Sequence, residues 1–309
     1  MRSFVPAFLF AVLCSACGRT GGLAPAEGVF VSVGDQGQAY LSDDGTAWRT
    51  AQTPVTENLI HLASGAGRFV AVGAKGTIVS SVDGERWTAH ASGTTVGLSG
   101  VTWTGSRFVA VGGDWTVGAV ALTSADGVAW QKLDAPANQQ FHAVTARDGE
   151  VLVSAYLNSD LLTPSLYKIK EGGGWEVERN GPSFEHGLTD AAGRTLLVGS
   201  GDGARSDDGV TWTSLGISRA HSIATNGSGY LAVGDIAGVW TSGDGTSWKE
   251  SRIQSGAYFL AGVAFGRGHY VAVGEPGFAI VDPEAAAANN RMADLGNGGL
   301  NDVAFGPVP

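Results

Sequence analysis

The sequence contains little cysteine, little charge and no apolar run long enough to cross a membrane. Its 309 residues include only 2 cysteines, Cys14 and Cys17, so no disulfide can brace the body of the chain. Charged residues make up 16% and leave a net charge of −10 without a basic cluster. This balance argues against binding to nucleic acid or to anionic lipid. The longest apolar stretch, residues 4–13, is well short of a bilayer-spanning helix.

The N-terminus resembles a bacterial lipoprotein signal. Arg2 precedes the apolar stretch, and the segment Leu-Cys-Ser-Ala-Cys that ends at Cys17 resembles the lipoprotein cleavage motif. The resemblance implies a signal in residues 1–17, a lipidated Cys17 and a flexible tether in residues 18–27. It implies a lipid-anchored protein of the bacterial cell envelope, at the outer membrane because Gly18 stands where inner-membrane retention uses aspartate. The alternative is an ordinary cleaved signal with incidental cysteines.

One seven-residue phrase, Ser-x-Asp-Gly-x-x-Trp, occurs five times at intervals of roughly 40 residues. The copies span residues 42–48, 81–87, 124–130, 206–212 and 242–248. A short apolar run that ends in glycine, such as residues 69–73, precedes each copy and is typical of a buried strand. One supersecondary unit is therefore copied along the chain, and the abundant glycine, 48 residues, serves its turns.

Each unit predicts a meander of four antiparallel strands, and a tandem array of such meanders is a propeller. Two weaker units lack the hairpin, the fourth at residues 172–175 and the seventh after Asp282. The first unit starts at its second strand, Phe30, and residues 300–306 supply the missing first strand. The sequence therefore predicts an all-β, seven-bladed β-propeller over residues 28–309, closed when the C-terminal strand pairs into the N-terminal blade.

The recurring hairpin resembles the Asp-box of bacterial sialidase-type, or BNR-like, repeats and the repeats of photosystem II assembly-factor-like propellers. The resemblance covers nearly the whole chain after the tether and implies the same kind of propeller. In such a turn an aspartate accepts backbone N–H bonds, a glycine allows positive φ, and a tryptophan buries its ring between blades. We therefore assign a structural role, rather than a calcium or glycan site, to Asp44, Trp48, Asp83, Trp87, Asp126, Trp130, Asp208, Trp212, Asp244 and Trp248.

Three histidines stand two residues before the first apolar residue of a predicted innermost strand: His142, His186 and His221. The symmetry of the ring would place them around one mouth of the central channel, where converging imidazoles could bind a metal or an anion. The alternative, which we favour, is that they bond to backbone in the turns between blades. We therefore predict no metal site and no cofactor.

The loops between the second and third strands of blades three and four are predicted to be long. They carry Trp115 in the third blade and Tyr156, Leu161 and Leu162 in the fourth. Loops of consecutive blades lie side by side, and exposed apolar residues there mark contact surfaces. These four residues form a candidate partner-binding patch; the alternative is that they plug the channel mouth or pack on each other.

No catalytic constellation is visible in the sequence. A sialidase needs an Arg-Ile-Pro strand motif, whereas the nearest string here is Arg252-Ile253-Gln254, and there is no nucleophile elbow or phosphate-binding loop. We expect a monomeric, non-catalytic envelope lipoprotein whose propeller binds a protein partner or supports assembly. The alternatives are a propeller that binds a glycan or small ligand and, third, a sialidase-like hydrolase or lyase. Propellers host many functions, so the fold does not decide among these.

Overall fold

The computed structural model describes residues 28–157, 160–169, 174–179, 182–253, 259–284, 291–296 and 298–308. Within these ranges the elements of regular structure are strands, apart from two 3-10 turns, Asp35–Gly37 and Ala74–Gly76. In chain order the strands are β1 (Val29–Gly34), β2 (Ala39–Ser42), β3 (Trp48–Thr50), β4 (Leu59–Gly65), β5 (Arg68–Gly73), β6 (Ile78–Ser81), β7 (Thr88–His90), β8 (Leu98–Trp103), β9 (Phe108–Asp114), β10 (Gly118–Ser124), β11 (Gln131–Leu133), β12 (Gln139–Arg147), β13 (Glu150–Leu157), β14 (Asp160–Ile169), β15 (Trp175–Arg179), β16 (His186–Thr189), β17 (Thr195–Val198), β18 (Asp202–Ser206), β19 (Thr213–Ser218), β20 (Ala220–Thr225), β21 (Tyr230–Gly234), β22 (Gly238–Ser242), β23 (Lys249–Arg252), β24 (Phe259–Gly266), β25 (His269–Glu275), β26 (Phe278–Val281), β27 (Arg291–Asp294) and β28 (Leu300–Gly306).

These strands form seven antiparallel sheets of four, which confirms the predicted seven-bladed propeller. Six blades take four consecutive strands, from β4–β7 to β24–β27, and the first has the order β28-β1-β2-β3. The first strand of each set of four, which is β28 in the first blade and β4, β8, β12, β16, β20 or β24 in the others, lies nearest the axis of the ring. The fourth strand lies at the rim. Because the strands alternate in direction, the innermost strand starts on the same face as the loop between strands two and three. We call this the loop face.

The ring is closed as the sequence predicts. Strand β28 pairs with β1 from Val29↔Gly306 to Val33↔Asp302. The Oγ of Ser32 donates to the carbonyl of Asp302 at 2.9 Å, inside the core. The C-terminal strand therefore takes the innermost place of the first blade, and neither strand is left as an open edge there.

The core lies between the blades rather than inside any one of them. The second strand of each blade is packed on both faces, so its apolar residues are buried; Phe30, Phe69 and Phe108 are fully enclosed. One cluster joins Val31 of the first blade to Phe69 of the second, and six similar clusters join the other neighbouring pairs. Continuous burial of short β-branched and aromatic runs is what this stacking demands.

Blade four differs from the prediction in one respect. The sequence predicts a long loop over residues 155–164, whereas β13 runs to Leu157 and β14 begins at Asp160, with Tyr156 paired to Pro164. The segment extends the hairpin because its backbone groups find partners in a ladder that they would lack in a loop. Leu161 and Leu162 therefore belong to a strand. Within the described residues, the ladder from β14 to β15 ends at Ser165, one residue after Pro164, which has no N–H to donate.

Candidate functional site

The repeated hairpins on the rim have a common internal geometry. In the first copy, Asp44 Oδ1 accepts the N–H groups of Thr46 at 2.8 Å and Ala47 at 3.0 Å. Ser42 Oγ accepts the N–H of Gly45 at 2.8 Å, and Gly45 has φ of 76°. The indole of Trp48 donates to the carbonyl of Gly45 at 2.8 Å. These polar groups are thus used within the turn, where the aspartate acts as an acceptor for backbone.

The hairpin carboxylates are held in their ionised form. The hydroxyl of Thr46 and the N–H groups of Ala47 and Thr46 hold the pKa of Asp44 well below its usual range. The N–H groups of Ala129 and Val128 lower the pKa of Asp126 to about 2. An anion that accepts several N–H bonds is stabilised relative to its protonated form. These carboxylates therefore remain charged at any physiological pH.

Each hairpin also packs on the blade that precedes it in the chain. The glycine of the turn lies so close to that blade that a Cβ on Gly84 would come within 2.7 Å of Val31, and one on Gly127 within 2.7 Å of Val70. The tryptophans share this contact, since Trp87 is 6% exposed within the cluster that contains Val31. The motif therefore joins blade to blade, and its residues have a structural role on this geometry.

Two successive positions near the start of each innermost strand face the channel region. In six blades the strand carries an irregularity there, so that the first position is skipped in pairing with the second strand and the next is paired. In blade five, Glu185 and His186 take the equivalent places, and His186 pairs with Val198. The skipped positions of the seven blades are Ile60, Ser99, His142, Glu185, His221, Ala261 and Asn301, and the paired positions are His61, Gly100, Ala143, His186, Ser222, Gly262 and Asp302. The predicted common register of the three histidines does not hold, because His186 lies one position after His142 and His221.

The skipped positions of blades four to six form a polar cluster at the loop face. His221 Nε2 lies 2.9 Å from Asp235 Oδ1, and His221 Nδ1 is bonded to Glu185. Burial alone would lower the pKa of His221, but the two carboxylates outweigh burial and raise it. The ring of His142 lies against Tyr156, with centroids 4.2 Å apart, and burial lowers the pKa of His142 to about 4 although Glu185 opposes this. His221 therefore links blades five and six through Glu185 and Asp235, whereas His142 packs on a tyrosine.

The paired positions form a second cluster, buried inside the channel. The rings of His61 and His186, from blades on opposite sides of the axis, stack with centroids 5.6 Å apart. Asp302 Oδ2 lies 3.5 Å from His61 Nδ1 and accepts the N–H of Leu62 at 2.8 Å. Burial lowers the pKa of His61 and His186 to about 4, and it raises the pKa of Asp302 to about 6. At neutral pH the two histidines are therefore uncharged, and Asp302 is a buried carboxylate beside them.

The clusters do not gather His142, His186 and His221 into one ligand set. His186 meets His61, His221 meets two carboxylates, and His142 meets a tyrosine. In the described ranges no three His, Cys, Asp or Glu side chains are arranged to hold a metal ion.

The sequence places His61, like the other three histidines, at the entry to an innermost strand, but three residues of these clusters were not predicted: Glu185, Asp235 and Asp302. A residue-by-residue alignment of the seven innermost strands would have placed Glu185 and Asp302 in the channel. Asp235 follows a second strand instead, so that alignment carries no signal for it.

The candidate patch is divided between two environments. Trp115 is 54% exposed, in a turn fixed by Asp114 Oδ1, which accepts the N–H groups of Thr116 and Val117 at 2.8 and 2.7 Å. Tyr156, in contrast to Trp115, is half-buried. Its hydroxyl bonds to Ser183 Oγ at 3.0 Å, and its ring contacts His142. Trp115 thus points to solvent, whereas Tyr156 belongs to the channel mouth.

The predicted signal and lipid anchor belong to a part of the chain that the structure does not describe. Cys17 and the tether lie outside the described residues, so lipidation stays a prediction. Among the helices in the described ranges, none is long and apolar enough to cross a membrane.

The fold is a seven-bladed β-propeller, and solved structures share it. A structure of YCF48 bound to a D1 peptide is 14% identical, with a TM-score of 0.59 over 80% of this chain and 84% of that one. YCF48 from Cyanidioschyzon merolae is 18% identical, with a TM-score of 0.56 over 81% and 89%. The WD40 propeller domain of Doa1 is 12% identical, with a TM-score of 0.59 over 90% of each chain. No protein-family model and no curated protein matches the chain.

Proposed function

We propose that this chain is a protein-binding propeller that captures its partner on the loop face. The observation that carries the proposal is Trp115, a large aromatic side chain 54% exposed at the tip of a fixed turn. Ile60, Val117 and Ile236 are also exposed, and each lies on the same face by the topology of its blade. Exposed aromatic and aliphatic anchors on rigid turns are typical of contact surfaces. Among the structures with this fold, the YCF48 propeller bound to a D1 peptide supports a peptide as the kind of partner.

Binding rather than catalysis is also supported by how the polar groups of the mouth are used. His221 is engaged at both ring nitrogens by Glu185 and Asp235. Asp35 Oδ2 accepts the N–H of Gly299 at 3.1 Å, and Asn301 donates to the carbonyl of Leu59 at 2.9 Å. These groups position blades and loops relative to one another. They thus support a rigid platform on which apolar residues are presented.

The test replaces Trp115 by alanine. Its side chain is exposed, so we expect the melting temperature to be unchanged, whereas partner capture should weaken by about 2 kcal/mol, or roughly 30-fold, if Trp115 is an anchor. Capture is measured by crosslinking from native membranes with quantitative recovery of the crosslinked species. Val210→Ala is the matched control, because Val210 is 68% exposed in a hairpin on the opposite face.

Two results would contradict the proposal. If Trp115→Ala and Val210→Ala lower capture equally, the loop face has no special role. If capture survives Trp115→Ala together with Tyr156→Phe but is lost when His142 or His221 is replaced by glutamine, the partner contacts the polar cluster of the loop face, and the exposed turn of Trp115 is not its anchor.

We further propose that Cys17 is acylated and anchors the propeller to the bacterial envelope, at the outer membrane. The support is the sequence resemblance, together with the tether of residues 18–27 before the first strand. Multiple acyl chains exceed what stable membrane attachment requires. The intact mass of the membrane-extracted protein should show a chain that begins at an acylated Cys17, and Cys17→Ser should abolish it. An unmodified Cys17, or secretion in soluble form, would refute this anchor without bearing on the loop face.

A further inference from the structure

Among the described residues, a contact that recurs between neighbouring blades is missing between blades six and seven. Blade four also lacks the hairpin motif, but its Trp175 packs on the cluster that joins blades three and four. The turn glycine of a hairpin lies against the residue that follows the aromatic of the second strand in the preceding blade: Gly84 against Val31, and Gly127 against Val70. The same contact recurs at two further junctions, since a Cβ on Gly45 would come within 2.5 Å of Val271, and one on Gly245 within 3.3 Å of Leu196. The preceding blade therefore provides a receptor surface, and the next hairpin fills it.

Blade six has the receptor surface, but blade seven does not supply the motif to fill it. The equivalent residue is Leu231, which follows Tyr230 in β21. After β26, blade seven continues with Asp282, Pro283 and Glu284 in place of Ser-x-Asp-Gly-x-x-Trp. A cavity of about 560 Å³ lies at this position, and its lining includes Tyr230, Leu231, Trp248, Lys249, Tyr270 and Glu284.

The lining of this cavity, which we call the rim pocket, is aromatic at its floor and polar at its edge. Tyr230 and Tyr270 are buried, and the ring of Trp248 lies 6.4 Å from that of Tyr230. Lys249 and Glu284, one cation and one carboxylate, are exposed at its opening. Its volume is within the range of sites that enclose a small ligand or an anchoring side chain. An apolar floor with a mixed-charge edge suits an aromatic side chain carried on a polar backbone.

The other blade junctions show which aromatic group such a surface accepts. Trp48 packs on the cluster that contains Val271 and Val281 of blade seven, and Trp87 packs on the first blade. Among the described residues, the cluster between blades six and seven includes Tyr270 and Phe278 but no hairpin tryptophan. We infer that the rim pocket is a binding site for a tryptophan-bearing tight turn of a partner protein. The turn would place its small residue against Leu231 and its indole between the blades.

The probe for this inference is the acetylated and amidated peptide with the sequence of residues 42–48, the first hairpin. It is titrated into the full-length, isotope-labelled protein and followed by NMR. We expect saturable binding with a Kd of about 1 mM or tighter, since a free heptapeptide must be ordered on binding. The shifts should be confined to Trp248, Tyr270 and their neighbours. The same peptide with alanine in place of its tryptophan should cause no saturable shift.

Gly243→Trp is the blocking variant, because Gly243 also lines the rim pocket. Nothing lies within 4 Å of a Cβ at Gly243, and other copies of the hairpin carry Asp43, Val82 or Ala125 at this position, so the turn tolerates a side chain. Val82→Trp is the matched control, because Val82 occupies the same hairpin position in blade two, whose junction with the next blade is filled by Gly127. We expect at least tenfold weaker peptide binding in Gly243→Trp and unchanged binding in Val82→Trp.

Three outcomes would overturn the inference. They are the absence of saturable shifts, equal binding of the two peptides, and binding that Gly243→Trp leaves unchanged. If the protein self-associates and the peptide dissociates the dimer, the occupant is a hairpin of a second copy rather than a separate partner. None of these results depends on Trp115, so failure here is distinguishable from failure of the loop-face proposal.

Discussion

The rim and the channel of this ring are built in opposite ways. On the rim the same seven-residue motif, with four fixed residues, recurs in five blades, and the bond from its glycine N–H to its serine Oγ agrees closely, as with Gly45 to Ser42 at 2.8 Å and Gly127 to Ser124 at 2.9 Å. In the channel, equivalent positions carry unlike residues, so that His61 in one blade corresponds to Asp302 in another. Repetition on the rim maintains the shape of the ring. In the channel and at the loop face, equivalent positions differ from blade to blade, and these differences give each blade its own polar or apolar groups.

The largest loss of stability is expected when β28, the C-terminal strand that closes the ring and contributes Asp302 to the channel, is removed. Deletion of residues 300–309 removes the innermost strand of blade one and opens the channel cluster at Asp302. Because the ring folds as a closed unit, we expect a loss of more than about 5 kcal/mol, comparable to the total stability of a domain. Circular dichroism during thermal unfolding measures this. A synthetic peptide of residues 300–309 should partly restore the fold, and an unchanged melting temperature in the truncated chain would contradict the closure.

On the rim, Trp87→Ala should be the most costly single substitution of the repeated motif. Trp87 is 6% exposed, packs on the first blade and donates its indole N–H to the carbonyl of Gly84 at 3.0 Å. Truncating a buried tryptophan costs about 3–5 kcal/mol. Urea unfolding measures the change, and the exposed Trp115→Ala should fall within about 0.5 kcal/mol of the wild type. Equal losses at the two positions would mean that the hairpin tryptophans are not the joints between blades.

The rim was predictable from the sequence because it repeats. Copies of one phrase predict a strand, a turn and a buried ring each time, and the complementary half-units at Phe30 and Leu300 predict the closure. The channel was not predictable to the same depth. Blade five has Gly187 at the place where blades four and six have Val144 and Ile223, so counting back from the first apolar residue puts His186 one position away from His142 and His221. An offset of one residue along a strand turns a side chain to a different face.

Tyr156 shows the same limit at the loop face. Its sequence neighbourhood, rich in polar residues and ending in Pro164, is typical of a loop, yet it continues the hairpin. Its contact with His142 joins residues that are 14 positions apart through a strand pairing, which local propensity does not report.

The channel and the rim should also titrate in different pH ranges. Burial lowers the pKa of His61, His142 and His186 from 6.5 to about 4. Folding favours their neutral forms, so the stability that they contribute is complete above pH 6.5 and is lost as the pH falls towards 4. The rim carboxylates have lowered pKa values, so their contribution is lost only below 3.8.

We therefore expect the free energy of unfolding to fall by about 2 kcal/mol between pH 6.5 and pH 4. Replacing both His61 and His186 by glutamine should flatten this part of the profile while leaving the loss below pH 3.8 in place. Urea titrations at a series of pH values measure both parts. A profile that is flat from pH 6.5 to 4 in the wild type would show that the channel histidines are not buried as neutral groups.

The smallest expected change in stability comes from replacing a single aspartate by asparagine, either in the channel or on the rim. Burial raises the pKa of Asp302 from 3.8 to about 6, although His186 and the N–H groups of Leu62 and Val303 oppose this. The stability contributed by protonated Asp302 is therefore present below pH 3.8 and is lost as the pH rises through 6. At pH 7.5 the buried carboxylate is a net cost, so Asp302→Asn should stabilise the protein by about 1 kcal/mol, with an amide oxygen still available to the N–H of Leu62.

On the rim the same change should have the opposite sign. Burial alone would raise the pKa of Asp83, but the N–H groups of Arg86 and Glu85 bond to its carboxylate and lower it overall. A neutral amide accepts these bonds less strongly, so Asp83→Asn should lower the melting temperature slightly at pH 7.5. Both variants should approach the wild type as the pH falls, Asp302→Asn between pH 6 and 4 and Asp83→Asn only below 3.8. If the two substitutions change stability with the same sign at pH 7.5, the channel carboxylate is solvated like a rim carboxylate, and the contrast between the two regions does not hold.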